Sequence, residues 1–171
     1  MASSRGNPDL GDIVRSVAVL GILVLALYGV GQLLTSEPEN VTRPVDWAPV
    51  ATDAREMADY QVLAPDELPE GWVATSARFD PSTQRWRLFI LGPDDRFIGL
   101  EQSSESEQTL LDSVAEDSEP LGSAKVLDRV WSVHVGPAER ITYLTSSEDI
   151  TTMVTGTVDQ GELETYIDSL R

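Results

Sequence analysis

The sequence predicts an α+β fold: an antiparallel sheet built from two βββα-like units, with the helices packed on one face, preceded by one N-terminal transmembrane helix. Three observations predict it. Residues Ser16 to Leu34 form a run of 19 without a charged side chain. Beyond Trp72, short alternating segments separated by Pro, Gly and Asp turns lead into an amphipathic stretch, and that order occurs twice. The chain of 171 residues has no cysteine, so the outer part must rest on its own apolar core, which about 100 residues can supply.

Residues 1–15 read as a short cytoplasmic tail and 16–34 as a signal anchor. At a rise of about 1.5 Å per residue, a helix over that run spans the roughly 30 Å hydrocarbon core of a bilayer. Arg5, Arg15 and the amino terminus precede it, and only Arg43 follows closely. That bias puts the N-terminus inside and the rest outside the cytoplasm. A cleaved signal peptide is the alternative, with small residues at Gly29-Val30-Gly31, but Gln32-Leu33-Leu34 continues the apolar run and favours a retained anchor. Residues 35–49 contain three prolines and read as an extended linker, leaving 50–171 as the extracytoplasmic domain.

Within that domain, Pro49 to Tyr60 has helical spacing at Val50, Ala54, Met57 and Ala58. Residues 64–71 read as a loop. Val73–Phe79 alternates, Asp80-Pro81-Ser82-Thr83 turns, and Gln84–Leu91 is the clearest strand. There Trp86, Leu88 and Ile90 share one face, and Arg85 and Arg87 begin the other. A turn at Gly92-Pro93-Asp94-Asp95, a strand at Phe97–Gln102 and a helix at Glu107–Glu116 complete the first unit. The second has strands at Val130–Val135, Arg140–Leu144 and Asp149–Val158. Its helix opens on a capping box, Asp159 as N-cap with Glu162 reaching back, and places Leu163, Tyr166, Ile167 and Leu170 on one stripe.

Composition excludes several kinds of function. The net charge is −17, and the first 34 residues carry two basic and two acidic side chains, so the whole excess lies in the outer part. Such a surface excludes nucleic acid bound through its phosphates. Without cysteine there is no thiolate zinc site and no thiol nucleophile, and one histidine, His134, cannot make a two-imidazole site. Alternation sets His134 opposite the core-facing Trp131, Val133 and Val135, and no G-x-S-x-G turn accompanies it. No acidic cluster has the calcium-loop pattern. The expectation is no catalytic set, no metal and no cofactor.

One feature runs against the acidic background. Arg78, Arg85, Arg87 and Arg96 are concentrated around one hairpin, several of them on the face opposite Trp86. Guanidinium forks suit lipid phosphates or an acidic wall polymer. Neutralisation of Asp80, Asp94, Asp95 and Glu101 is the alternative reading of the same residues.

Asp12-Ile13-Val14-Arg15-Ser16 leads into the apolar run, and Arg43-Pro44-Val45-Asp46 follows it. Then come Val62-Leu63-Ala64-Pro65, Leu68-Pro69-Glu70-Gly71-Trp72, Thr75-Ser76-Ala77-Arg78, Gly99-Leu100-Glu101-Gln102 and the terminal Thr155-Gly156-Thr157 with Glu162-Leu163 and Ser169-Leu170. Through these residues the chain resembles an actinobacterial family of single-pass membrane proteins known only as a domain of unknown function. The closing strand and helix are also similar to small extracytoplasmic domains of bacterial anti-sigma and lipoprotein-like chains, which implies a binding role. The expectation is therefore a non-catalytic module held to the lipid bilayer by residues 16–34, contacting an envelope polymer or a membrane protein. A small hydrolase and a ligand-holding domain are the alternatives.

Overall fold

The structure is a computed structural model that describes residues 19–21, 43–115 and 117–171. In chain order it contains α1 (Trp47–Met57), β1 (Val73–Asp80), β2 (Arg85–Leu91), β3 (Phe97–Ser103), α2 (Glu107–Val114), β4 (Glu119–Val126), β5 (Arg129–Val135), β6 (Ile141–Ser147), β7 (Ile150–Gly156) and α3 (Gln160–Asp168). The predicted membrane span lies outside the described residues except for 19–21, which are helical with Val19 and Leu20 exposed. Among the described residues no helix is long and apolar enough to cross a membrane. Arg43–Arg171 is one compact unit. Residues 43–49, read from sequence as linker, belong to it: the Val45 amide donates to the Ala74 carbonyl at 2.8 Å, and α1 begins at Trp47.

The described strands form one sheet in the order β1-β2-β3-β7-β6-β5-β4, antiparallel throughout. Register carries Trp86, Leu88 and Ile90 onto the same face as Ile98, Leu100, Val154, Tyr143, Val133 and Trp131. On this first face Ala51 and Ala54 of α1 and Leu163, Tyr166 and Ile167 of α3 close the main core. Trp86 and Trp131, assigned to the core by parity, are buried, the latter edge-on to Tyr143 at 6.4 Å between centroids.

The helices do not all pack on one face. Leu110, Leu111 and Ala115, from α2 and its C-terminal cap, pack with Leu144 and Met153, the strand neighbours of Tyr143 and Val154 and hence on the opposite, second face. The reason lies in the internal repeat, which is αβββ rather than βββα. β1–β2 and β4–β5 each carry a bulge at the same step, after Ala74 and after Pro120. The next turns, Gly92–Arg96 and Gly136–Arg140, share a Gly-Pro start, an Arg end and two left-handed residues, Asp94-Asp95 and Ala138-Glu139. In both, the glycine amide donates to the arginine carbonyl at 2.8 Å. β2 and β5 run in the same direction on opposite sides of β7. The units are thus related by a rotation about an axis in the sheet plane, which exchanges the faces, so the helix before β1 and the helix before β4 land on opposite sides. β7 and α3 then fill the centre.

Candidate functional site

The four arginines chosen from sequence do not form one cluster. Register places Arg78 directly opposite Arg87 and puts both, with Arg85, on the second face, as their alternation with Trp86 requires. Arg85 is committed: its Nε bonds the Glu101 carboxylate, and Nη1 lies 3.4 Å from Glu105. Arg96 lies on the other side of the sheet. The Gly92–Arg96 turn turns it toward α3, where Nη1 meets Glu162 at 2.7 Å and the guanidinium covers the Trp72 indole at 5.7 Å. Glu162 is therefore engaged by a residue 66 positions away, and the reciprocal half of the predicted capping box is replaced by this pair. Arg85 and Arg96 are thus in ion pairs, but of the four acids named for neutralisation only Glu101 takes part among the described residues, and Arg96 takes Glu162 instead.

Arg78 and Arg87 remain. Neither is in an ion pair among the described residues. Glu101 faces Arg87 across β2–β3, but its carboxylate is taken by Arg85. Two like charges directly opposed on neighbouring strands repel, and a bound anion would relieve that repulsion. Phe89, Leu91 and Phe97 are half-buried on the same face. Phe89 lies so close over Gly99 that a Cβ there would meet its ring at 2.7 Å, which is why that strand position is glycine. The outcome is an open sheet surface with two free guanidinium groups and a partly exposed aromatic floor.

On the first face a small groove of about 50 Å³ lies between the segment after α1 and the ends of β5, β6 and β7. Gln102 builds one wall. Its carbonyl accepts from the Leu63 amide at 2.7 Å, and its amide donates to Gln61 and Thr152. Trp86 Nε1 secures the same segment through the Leu63 carbonyl at 2.9 Å. Arg129, Tyr60 and Thr145 also face the groove. Burial pushes the Tyr60 hydroxyl up to about 12. Tyr143 is likewise pushed up to about 12, by burial and by donating its proton to Glu164 at 2.6 Å. Burial moves Tyr166 well above its ordinary value. Asp80 moves the other way, because the hydroxyl and amide of Ser82 stabilise its carboxylate.

The Ser132 hydroxyl, two residues before His134 in sequence, donates to the Leu144 carbonyl. Among the described residues no three acidic or imidazole groups converge as a metal site. Sequence reading missed Gln102, whose partners are distant in the chain, and Arg129, which lines the groove. It placed His134 correctly on the second face but read it as an ordinary surface residue, whereas its Nδ1 is buried.

The fold is similar to solved structures of MucB at low level. One is the complex of MucA and MucB from Pseudomonas aeruginosa, with 19% identity, a TM-score of 0.35, and coverage of 65% of this chain and 36% of that one. Another is MucB in complex with MucA(peri), with 18% identity, a TM-score of 0.32, and coverage of 66% and 36%. This chain spans about a third of the length of those chains. No curated protein matches the sequence. Residues 5–170, nearly the whole chain, match one family, and the chain belongs to it: the proteins of unknown function designated DUF4245.

Proposed function

We propose that this is a membrane-tethered, extracytoplasmic, non-catalytic interaction module. The observation that carries the reading is the uncharged run at 16–34, preceded by Arg5 and Arg15 and followed within nine residues by the compact unit that begins at Arg43. The surface it presents is the β1–β2 face with Arg78 and Arg87, which fits an anionic envelope component.

Reporter fusions test the placement. A C-terminal alkaline phosphatase should be active and a C-terminal green fluorescent protein dark, and the chain should stay with membranes after alkaline carbonate washing. A fluorescent C-terminus or release by carbonate would overturn the reading. Cross-linking from a photoreactive residue at position 76, on the same face beside Arg78, in intact cells should recover one reproducible envelope component, and that recovery should be lost in Arg87→Gln. Recovery unchanged in Arg87→Gln removes the arginine pair from the interface.

A further inference from the structure

The second αβββ unit departs from the first around its Gly-Pro turn. In the first, Gly71 is left-handed, the Trp72 amide donates to the Pro69 carbonyl at 3.0 Å, and the indole lies against Gly92, where a Cβ would meet it at 2.5 Å. Arg96 stacks on that indole and pairs with Glu162. In the second, Asp117 is left-handed and the Ser118 amide donates to the Ala115 carbonyl at the same 3.0 Å. Ser118 therefore stands where Trp72 stands. Register makes His134 the counterpart of Ile90, since each lies two residues before the glycine of its turn. A hydroxyl and an imidazole thus replace an indole and an aliphatic side chain around the second arginine, Arg140.

These three residues share one neighbourhood on the second face. Ser118 flanks Gly136, whose nearest contact for an added Cβ is the Ser118 Cβ at 3.7 Å. The Gly136 amide bonds the Arg140 carbonyl, and His134 pairs with Thr142, two residues beyond Arg140. The guanidinium lies 5.4 Å from the Phe97 ring centre, and its Nη1 donates to the Val114 carbonyl at 3.1 Å. Its Nε, the Ser118 Oγ and the His134 Nδ1 are buried, and none has a hydrogen-bond partner among the described residues. Native proteins bury only a few such groups per hundred residues, because desolvation is then uncompensated; the Tyr60 and Tyr166 hydroxyls are two others, apart from this neighbourhood. Here two of them, Ser118 and His134, share the neighbourhood of a cation whose own Nε is the third and which has no acidic partner among the described residues, although its counterpart Arg96 has one.

We propose that Ser118, His134 and Arg140 form a binding site for an oxyanion, the phosphate or carboxylate group of a small ligand. Arginine Nε–H, serine O–H and imidazole Nδ1–H are all donors, and an oxyanion has acceptor oxygens for each. The stack on Phe97 and the bond to Val114 hold the guanidinium in place before the anion arrives. This site lies on different strands from Arg78 and Arg87 and stands independently of the tethered-module reading.

The chain has one histidine, so its imidazole nitrogen resonances need no assignment. With ¹⁵N-histidine label, the full chain in a mild non-ionic detergent is titrated with inorganic phosphate and, separately, with acetate. The expected result is a saturable shift of the Nδ1 resonance with at least one anion. A response to phosphate alone assigns a phosphate group, to acetate alone a carboxylate, and to both a general oxyanion site. Ser118→Ala, which deletes an unpartnered hydroxyl and should leave Tm unchanged or raised, should weaken binding about tenfold, as should Arg140→Gln. Arg87→Gln should leave it unchanged. Absence of a shift with either anion up to roughly 100 mM, equal affinity in Ser118→Ala, or loss in Arg87→Gln would each overturn the site.

Discussion

Glu101 lies on the second face of the sheet with 3% of its surface exposed, and the Arg85 guanidinium is the cation that compensates it there. Burying a carboxylate beside Met153 is costly unless the charge is paired and hydrogen-bonded. The pair itself is not a strong source of stability, because desolving both groups cancels much of their attraction. Breaking it is another matter. Arg85→Ala leaves Glu101 buried without compensation and should cost about 3 kcal/mol, read as a lower denaturation midpoint with unchanged m. Replacing both groups by apolar ones, Arg85→Met with Glu101→Leu, should recover most of that loss. A double variant as unstable as Arg85→Ala would show that something other than the orphaned carboxylate sets the cost. The same residue explains why Arg87 is free: its cross-strand acid is already occupied.

At the scale of elements, α3 shows what local sequence can and cannot reveal. Asp159 caps it as expected, Oδ1 accepting from the Glu162 amide at 2.9 Å. Asp159→Ala should cost about 1 kcal/mol and lower Tm by about 4 °C in a thermal melt; an unchanged Tm would mean that packing of Leu163 and Ile167 alone sets this helix. The cap was readable because donor and acceptor are three residues apart. The Glu162 side chain was not, because Arg96 reaches it through tertiary structure. Strands with alternating large residues were legible, and β2 agrees face for face. β4 was invisible: it is an edge strand with Pro120, a bulge and Gly122, mostly exposed, so no burial imposed a period on its sequence. The arginine parity on β2 was legible too, but which acid each would find depended on register with β3. The Gly-Pro turns ending in Arg were present in the sequence, 44 residues apart at Gly92 and Gly136. Their meaning, a repeat that exchanges faces, depended on strand order.

At the scale of the whole molecule, the first-face core joins both units and the closing helix, and its tyrosines couple that core to pH. Tyr60 lies on the segment after α1, Tyr143 on β6 and Tyr166 on α3, all within or against the same core. Each folded hydroxyl holds its proton beyond the ordinary value of about 10, with Tyr60 and Tyr143 raised to about 12 and Tyr166 raised also. The sign follows from linkage. Below about pH 10 the phenols are protonated in both states, and their contribution is complete. Above it the unfolded chain releases protons that the folded chain retains, so the free energy of unfolding falls as pH rises, and the contribution is lost on passing the folded values near 12. Denaturant melts between about pH 9 and pH 11 should therefore show a steeper loss of stability in the parent chain than in a variant carrying Tyr60→Phe and Tyr143→Phe. The slope, not the absolute stability, is the readout, because removing the Tyr143 hydroxyl also removes its bond to Glu164. Equal slopes would mean that the phenols are hydrated in the folded state and that the first-face core does not close around them.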